Sequence, residues 1–209
     1  MKRSLVIILL LIFASPFYAQ KPKPFMGCQP EGNGKPTKKN PTGALSKPKQ
    51  DLNLLKNRDV EPMSIDKSVT LDAIMKPGND QKFKNSQGAS IVGFVAHVKA
   101  GEPQETCNCA RDDIADIHID VVLKEADKDK SSEYMIVEIT PRFQDKLGNL
   151  ATVKSAIEGK WIRFTGWMLY DGVHKSNAKN TNPNGKAIWR ATAWEVHPVT
   201  AFEVVSAPQ

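Results

Sequence analysis

From Ser90 onward the chain alternates apolar and polar side chains with a period of two. Val92, Phe94, Ala96 and Val98 alternate with Gly93, Val95, His97 and Lys99. Ile117, Ile119, Val121 and Leu123 interleave with Asp116, His118, Asp120 and Val122, and Met135, Val137 and Ile139 with Tyr134, Ile136 and Glu138. Successive side chains of an extended chain point to opposite faces, so each run predicts a half-buried strand. A fourth strand is predicted over Trp161–Tyr170, with Ile162, Phe164 and Met168 on one side. A fifth runs from about Ile188 to Val205, kinked at Pro198, which cannot donate to a ladder. Between the third and fourth strands, Pro141 and Gly148 break the pattern. Leu150, Val153 and Ile157 then recur at helical spacing, between Asn149 as N-cap and Gly159 as C-cap. Three strands, one short helix and two strands predict an all-β fold: a small five-stranded, OB-like barrel over residues 86–209.

Upstream the pattern changes. Leu52, Leu54, Leu55, Val60 and Met63, then Leu71, Ile74 and Met75 at helical spacing before Pro77-Gly78, predict a belt with a short helix over residues 51–85. Residues 20–50 are rich in Lys, Pro, Gly and Asn; too little apolar surface is available to offset the entropy of ordering them, which predicts a disordered arm. Residues 1–19 read as a secretory signal peptide, with Lys2 and Arg3 ahead of the apolar run Leu5–Ala14 and Ala19 before the cut. That run falls short of the roughly 20 residues needed to span a bilayer. The sequence therefore predicts a soluble exported protein, periplasmic or secreted, with no transmembrane segment.

Charge sharpens this division. Over 209 residues the net charge is +6. Residues 20–85 carry 13 basic and 7 acidic side chains, whereas residues 86–209 carry 14 and 16. The basic character belongs to the arm, which suits a polyanionic partner such as nucleic acid, anionic lipid or polysaccharide, or simple solvation. The barrel's own balance argues against tight nonspecific nucleic-acid binding.

The segments "ETCNCARDDIADIHIDVVL", "IVEITPR", "WIRFTGWMLYDGVH" and "RATAWEVHPVT" resemble a family of exported bacterial OB-fold-like proteins. The resemblance covers roughly residues 90–205. It implies the barrel and the export, and it brings no assigned activity.

In an OB-like barrel a ligand lies across strands two and three, between the loops that join strands one to two and four to five. Those loops are Gly101–Asp113, with Cys107 and Cys109, and Asp171–Lys186, with His174. Export favours disulfides. With Cys28 as the third cysteine one thiol is left over, and Cys28 is expected to pair with Cys107 or Cys109 and tether the arm. If apolar positions face one another, His97 lies opposite Asp116, His118 or Asp120, and all four share an outward face. Imidazole and carboxylate together suit zinc, nickel or copper, so His97, His118, Asp120, Cys107, Cys109 and His174 are metal candidates. A solvated cross-strand pair explains the same pattern. Trp161, Trp167, Trp189 and Trp194 crowd the last two strands; they serve as core or as stacking platforms. Glu195 and His197 share a face of the fifth strand and could form an acid–base pair.

G-x-S-x-G, H-E-x-x-H, the P-loop and G-x-G-x-x-G are all missing, which counts against common hydrolases and ATP-dependent enzymes. The leading expectation is a non-enzymatic, cofactor-free binding module for an oligomeric or anionic ligand. Arg163, Lys175, Lys179 and Arg190 would meet the anion, with Trp167 and His174 beside them. Its rival is a metal-dependent hydrolase or nuclease that holds a divalent ion such as zinc and uses His118, Asp120, His174, Glu195 and His197. An envelope structural or protein-interaction module is the third.

Overall fold

The computed structural model describes residues 21–208; the signal-peptide expectation for residues 1–19 lies outside them. Five strands close into a barrel: β1 (Gly88–Ala100), β2 (Ile117–Val122), β3 (Met135–Ile139), β4 (Trp161–Tyr170) and β5 (Trp194–Val204), in the order β1-β2-β3-β5-β4. All neighbouring pairs are antiparallel except β3 and β5, which run parallel through Ile136 with Glu195 and Val137 with Val196. No helix among the described residues is long and apolar enough to cross a membrane.

The alternation predicted for β2 and β3 is the one observed. Ile117, Ile119 and Val121 point into the core with Met135, Val137 and Ile139. In β1 the parity is reversed along the first half. Ile91 and Val95 are the core residues, and Phe94 packs outside the barrel with Val122, Tyr134 and Ile136. A β-bulge between Val95 and His97 then shifts the register by one residue, so that Val98 turns inward. His97 thus reaches the outer face as expected, through a bulge that alternation alone does not announce. β5 begins at Trp194 and not near Ile188, because residues 188–193 continue the preceding loop.

Two helices, not one, separate β3 from β4. Leu150–Ile157 (α4 in the chain) follows Asn149, whose side chain accepts from the Thr152 amide as an N-cap. Pro141, read from sequence as a breaker, instead occupies the first turn of α3 (Pro141–Leu147), where its missing N–H costs nothing. Ahead of the barrel lie α1 (Lys47–Lys56) and α2 (Leu71–Met75); Leu71 and Ile74 of α2 enter the core.

The segment expected as a disordered arm is held against the barrel. Cys28 is bonded to Cys109, with a Cα–Cα distance of 5.7 Å. Asn33 N–H donates to Thr106 O at 2.9 Å, and Asn57 Nδ2 at the end of α1 donates to Pro30 O and Cys107 O. Gly32, at φ +68°, lies so close to the Thr106 carbonyl that any side chain would collide with it. Cross-links and polar contacts order this stretch where apolar burial could not, and composition alone does not reveal them.

Candidate active site

Polar residues on β2, β3 and β5 that point away from the core come together on the outer face of the barrel. The loops and α1 roof them over. A cleft of about 450 Å³ opens there, lined on one side by Lys56, Gly101, Glu102 and Glu105 and on the other by Asp171, His174, Trp189 and Arg190. Its floor is His118, Asp120, Glu138 and Glu195. Residues of both the Gly101–Asp113 and the Asp171–Lys186 loops line this cleft.

The strand registers dictate this convergence. His118 pairs with Glu138 across β2 and β3, and His97 with Asp120 across β1 and β2. His118 Nδ1 meets Glu138 Oε1 at 3.0 Å and its Nε2 meets Asp120 Oδ1 at 3.0 Å. Burial opposes a charge on this ring, but a carboxylate on each nitrogen raises its pKa to about 9. His118 is therefore a fixed imidazolium at neutral pH, with both nitrogens engaged. His97, half-exposed, approaches Asp120 Oδ2 at 3.5 Å, and Lys99 Nζ bonds the same oxygen at 3.1 Å.

Behind the floor, His197 is wholly buried beside Glu195, Glu138 and Asp116. Burial alone would raise the Glu138 carboxyl, yet the two histidines hold it well below the usual range. Arg190 is 1% exposed and bridges the two halves of the site: its guanidinium reaches Glu195 Oε1 at 2.9 Å, Asp171 Oδ2 at 3.3 Å and Thr192 O at 2.7 Å. Buried charge survives only when paired in this way.

At the rim, Asp171 holds the Nδ1 of His174, whose ring meets Trp189 edge to face at 5.4 Å. No other side-chain bond to His174 occurs among the described residues, so its Nε2 is free. The hydrogen bond that His174 Nδ1 donates to Asp171 outweighs partial burial and raises the His174 pKa. Burial lifts Asp171 in principle; the His174 contact and nearby cations pull it well below the ordinary carboxylate range. On the opposite wall Lys56 Nζ bonds Glu105 Oε1 at 3.1 Å. Burial pushes the Glu105 carboxyl up to about 7 against the pull of Lys56.

The sequence candidates divide accordingly. His118, Asp120, His174, Glu195 and Arg190 line the cleft, and His197 lies directly behind it. Arg163 pairs with Glu203 on the β4–β5 surface, and Trp167 lies under Arg58 with its Nε1 bonded to Val60 O; neither lines the cleft. Lys175 and Lys179 also lie outside its lining, Lys179 being paired with Glu133. Arg190 is too enclosed and too fully paired to greet a ligand directly. Cys109 is taken by the disulfide, which removes it from the metal candidates, and Cys107 is a buried free thiol. The sequence pattern does not single out Glu138, Lys56 or Glu105, whereas Asp171 stands out in it only through the spacing Asp171-Gly-Val-His174. A lone carboxylate in the otherwise apolar β3 was the available signal for Glu138.

Fold and site define a small closed β-barrel with a roofed, densely paired polar cleft on the outside of three adjacent strands. No family model, curated protein or solved structure matches the chain.

Proposed function

We propose that this is an exported, OB-like barrel that hydrolyses a phosphate-bearing substrate of the nucleotide or oligonucleotide class. One observation carries the reading: a histidine oriented by a carboxylate presents its Nε2 to a cleft that also holds His118, contacted by a carboxylate on each ring nitrogen. A carboxylate-held imidazole is a recurrent arrangement for general acid–base work. His174 acts as the base that takes a proton from the attacking water as its oxygen bonds to phosphorus and the bond to the leaving oxygen breaks. The leaving oxygen takes its proton from solvent, and Asp171 fixes the His174 tautomer and stabilises the imidazolium that forms. His118 acts as a permanent positive charge against the developing oxyanion, together with Lys56 and Lys99. Trp189 and Tyr134 supply flat apolar edges for a base. The strand order, the parallel β3–β5 pair and the helices between β3 and β4 support the OB-like reading. The signal-peptide pattern and the Cys28–Cys109 bond support export.

The test is hydrolysis of an activated phosphodiester and of short DNA and RNA by the purified protein, with and without divalent metal. His174→Ala should lower the rate about 100-fold or more, and equal rates for both proteins would remove His174 from the chemistry. A second reading, binding without turnover, is favoured by one fact: every cation in the cleft already has a carboxylate partner. Salt-sensitive binding of the same oligonucleotides in the absence of hydrolysis would select it.

A further inference from the structure

Behind the cleft, three buried polar atoms lack a hydrogen bond: Asp116 Oδ2, Glu138 Oε2 and His197 Nε2. Asp116 Oδ2 lies 3.4 Å from His197 Nε2, and Glu138 Oε2 lies 3.0 Å from the other ring nitrogen, Nδ1. Asp116 is 1% exposed and His197 0%. In each residue the other polar atom is already held. Asn108 Nδ2 donates to Asp116 Oδ1 at 3.0 Å, His118 Nδ1 meets Glu138 Oε1 at 3.0 Å, and Glu195 Oε2 lies 3.3 Å from His197 Nδ1. An outer partner thus orients each group and leaves its second polar atom without a hydrogen bond.

We infer that Asp116, Glu138 and His197 form a binding site for a divalent cation of the zinc type, a site that does not depend on the hydrolytic reading. Asp116 Oδ2 and His197 Nε2 stand 3.4 Å apart; two ligands of a tetrahedral zinc at about 2 Å are separated by roughly 3.3 Å. Ligating atoms of all three residues lie within 4.8 Å of one another. A glutamate on the far nitrogen of a ligating histidine is the usual outer-shell arrangement, fixing the ring and raising its basicity. The thiol of Cys107 belongs to a second trio, with Glu105 and Asp116, that shares Asp116 with the first. Lys56 neutralises Glu105 but makes no bond to Asp116. One imidazole, carboxylates and a neighbouring thiol favour zinc or cobalt over magnesium or calcium.

A proton on His197 does not satisfy the group equally well. Asp116 Oδ2 at 3.4 Å and Glu138 Oε2 at 3.0 Å are close enough for ion pairs with a protonated ring, yet neither makes a well-aligned hydrogen bond to it. Poorly satisfied buried acceptors are costly, and a cation among them removes that cost.

The experiment uses full-length mature protein without a His-tag, stripped with chelator and titrated with zinc or cobalt alone. About one ion per chain should bind at micromolar affinity or tighter, with cobalt giving the visible bands of a low-symmetry site. Asp116→Asn should weaken binding by roughly 100-fold, and Glu195→Gln by about tenfold through loss of the outer partner. Circular dichroism of each variant checks folding, and the wild-type titration stands without any variant. Sub-stoichiometric zinc in the wild type, or unchanged affinity in a folded Asp116→Asn protein, overturns the site. His174→Ala must keep its zinc while losing hydrolysis, so failure of the metal site and failure of the hydrolytic reading are read separately.

Discussion

At the scale of single residues, the cleft is governed by which charges are shared. Among the described residues Arg190 is the only guanidinium lining it, and it is committed to Asp171 and Glu195 at once. Replacing it with methionine preserves bulk but leaves two buried carboxylates without their cation, which costs about 3–5 kcal/mol. Urea denaturation should show that loss, and a change below about 1 kcal/mol would mean that solvent already screens the pair. For the proposed hydrolysis, the pH dependence follows from His174. Its pKa is raised because Asp171 stabilises the imidazolium, so a general base at this position gains activity as pH rises through a value above the ordinary 6.5. Asp171→Asn removes that stabilisation and should move the inflection to lower pH while reducing the plateau rate. An unmoved inflection would show that another group titrates. Asp171 also contributes to stability. Its folded pKa is depressed, so the stabilisation is complete above the ordinary carboxylate value near 4 and is lost as pH falls below it.

At the scale of elements, two devices aim the site: the bulge in β1 and the tight crossing of β4 and β5. Gly166 pairs with Val199 while Met168 pairs with Val196, a register shift centred on Pro198. A Cβ on Gly166 would strike Pro198 O and the Val196 side chain. Gly166→Ala should therefore destabilise by about 1–3 kcal/mol, seen as a lowered Tm, and it should disturb His197 on the neighbouring residue. A Tm equal to wild type would mean the crossing can widen freely. The same elements explain what the sequence could reveal. Alternation in β2 and β3, and the Asn149 cap of α4, are local signals, and local signals were readable. The bulge that turns His97 outward, the helix that starts at Pro141, and the loop persisting to residue 193 each depend on a partner strand or a packed neighbour. The site was half visible for the same reason. His118 and Asp120 share a face by parity within one strand, but their union with Glu138, Glu195 and His197 requires the β2–β3–β5 registers. Asp171 and Lys56 belong to segments that only the tertiary structure brings near.

For the whole molecule, the disulfide ties a basic N-terminal segment to the loop that forms one wall of the cleft. Cys28 and Cys109 are 81 residues apart, and cross-linking a loop of that length removes about 4.5 kcal/mol of unfolded-state entropy in the chain-entropy picture, with measured values commonly 2–4 kcal/mol. The functional consequence is larger than the energy suggests. Cys109 adjoins the turn that carries Cys107 and Asn108, Asn57 of the segment after α1 is bonded to Cys107 O, and Lys56 reaches into the cleft from the end of α1. Cutting the bond loosens the roof over His197 and the wall bearing Lys56 together, while the barrel's own ladder stays intact. Cys28→Ser should therefore lower stability by about 2–4 kcal/mol and expose residues 21–46 to limited proteolysis. It should also reduce hydrolysis and zinc affinity in parallel, with the β-sheet circular dichroism retained. A variant that resists protease like the wild type and keeps both activities would show that the hydrogen bonds of the N-terminal segment hold the roof by themselves, and that the covalent tether adds stability alone.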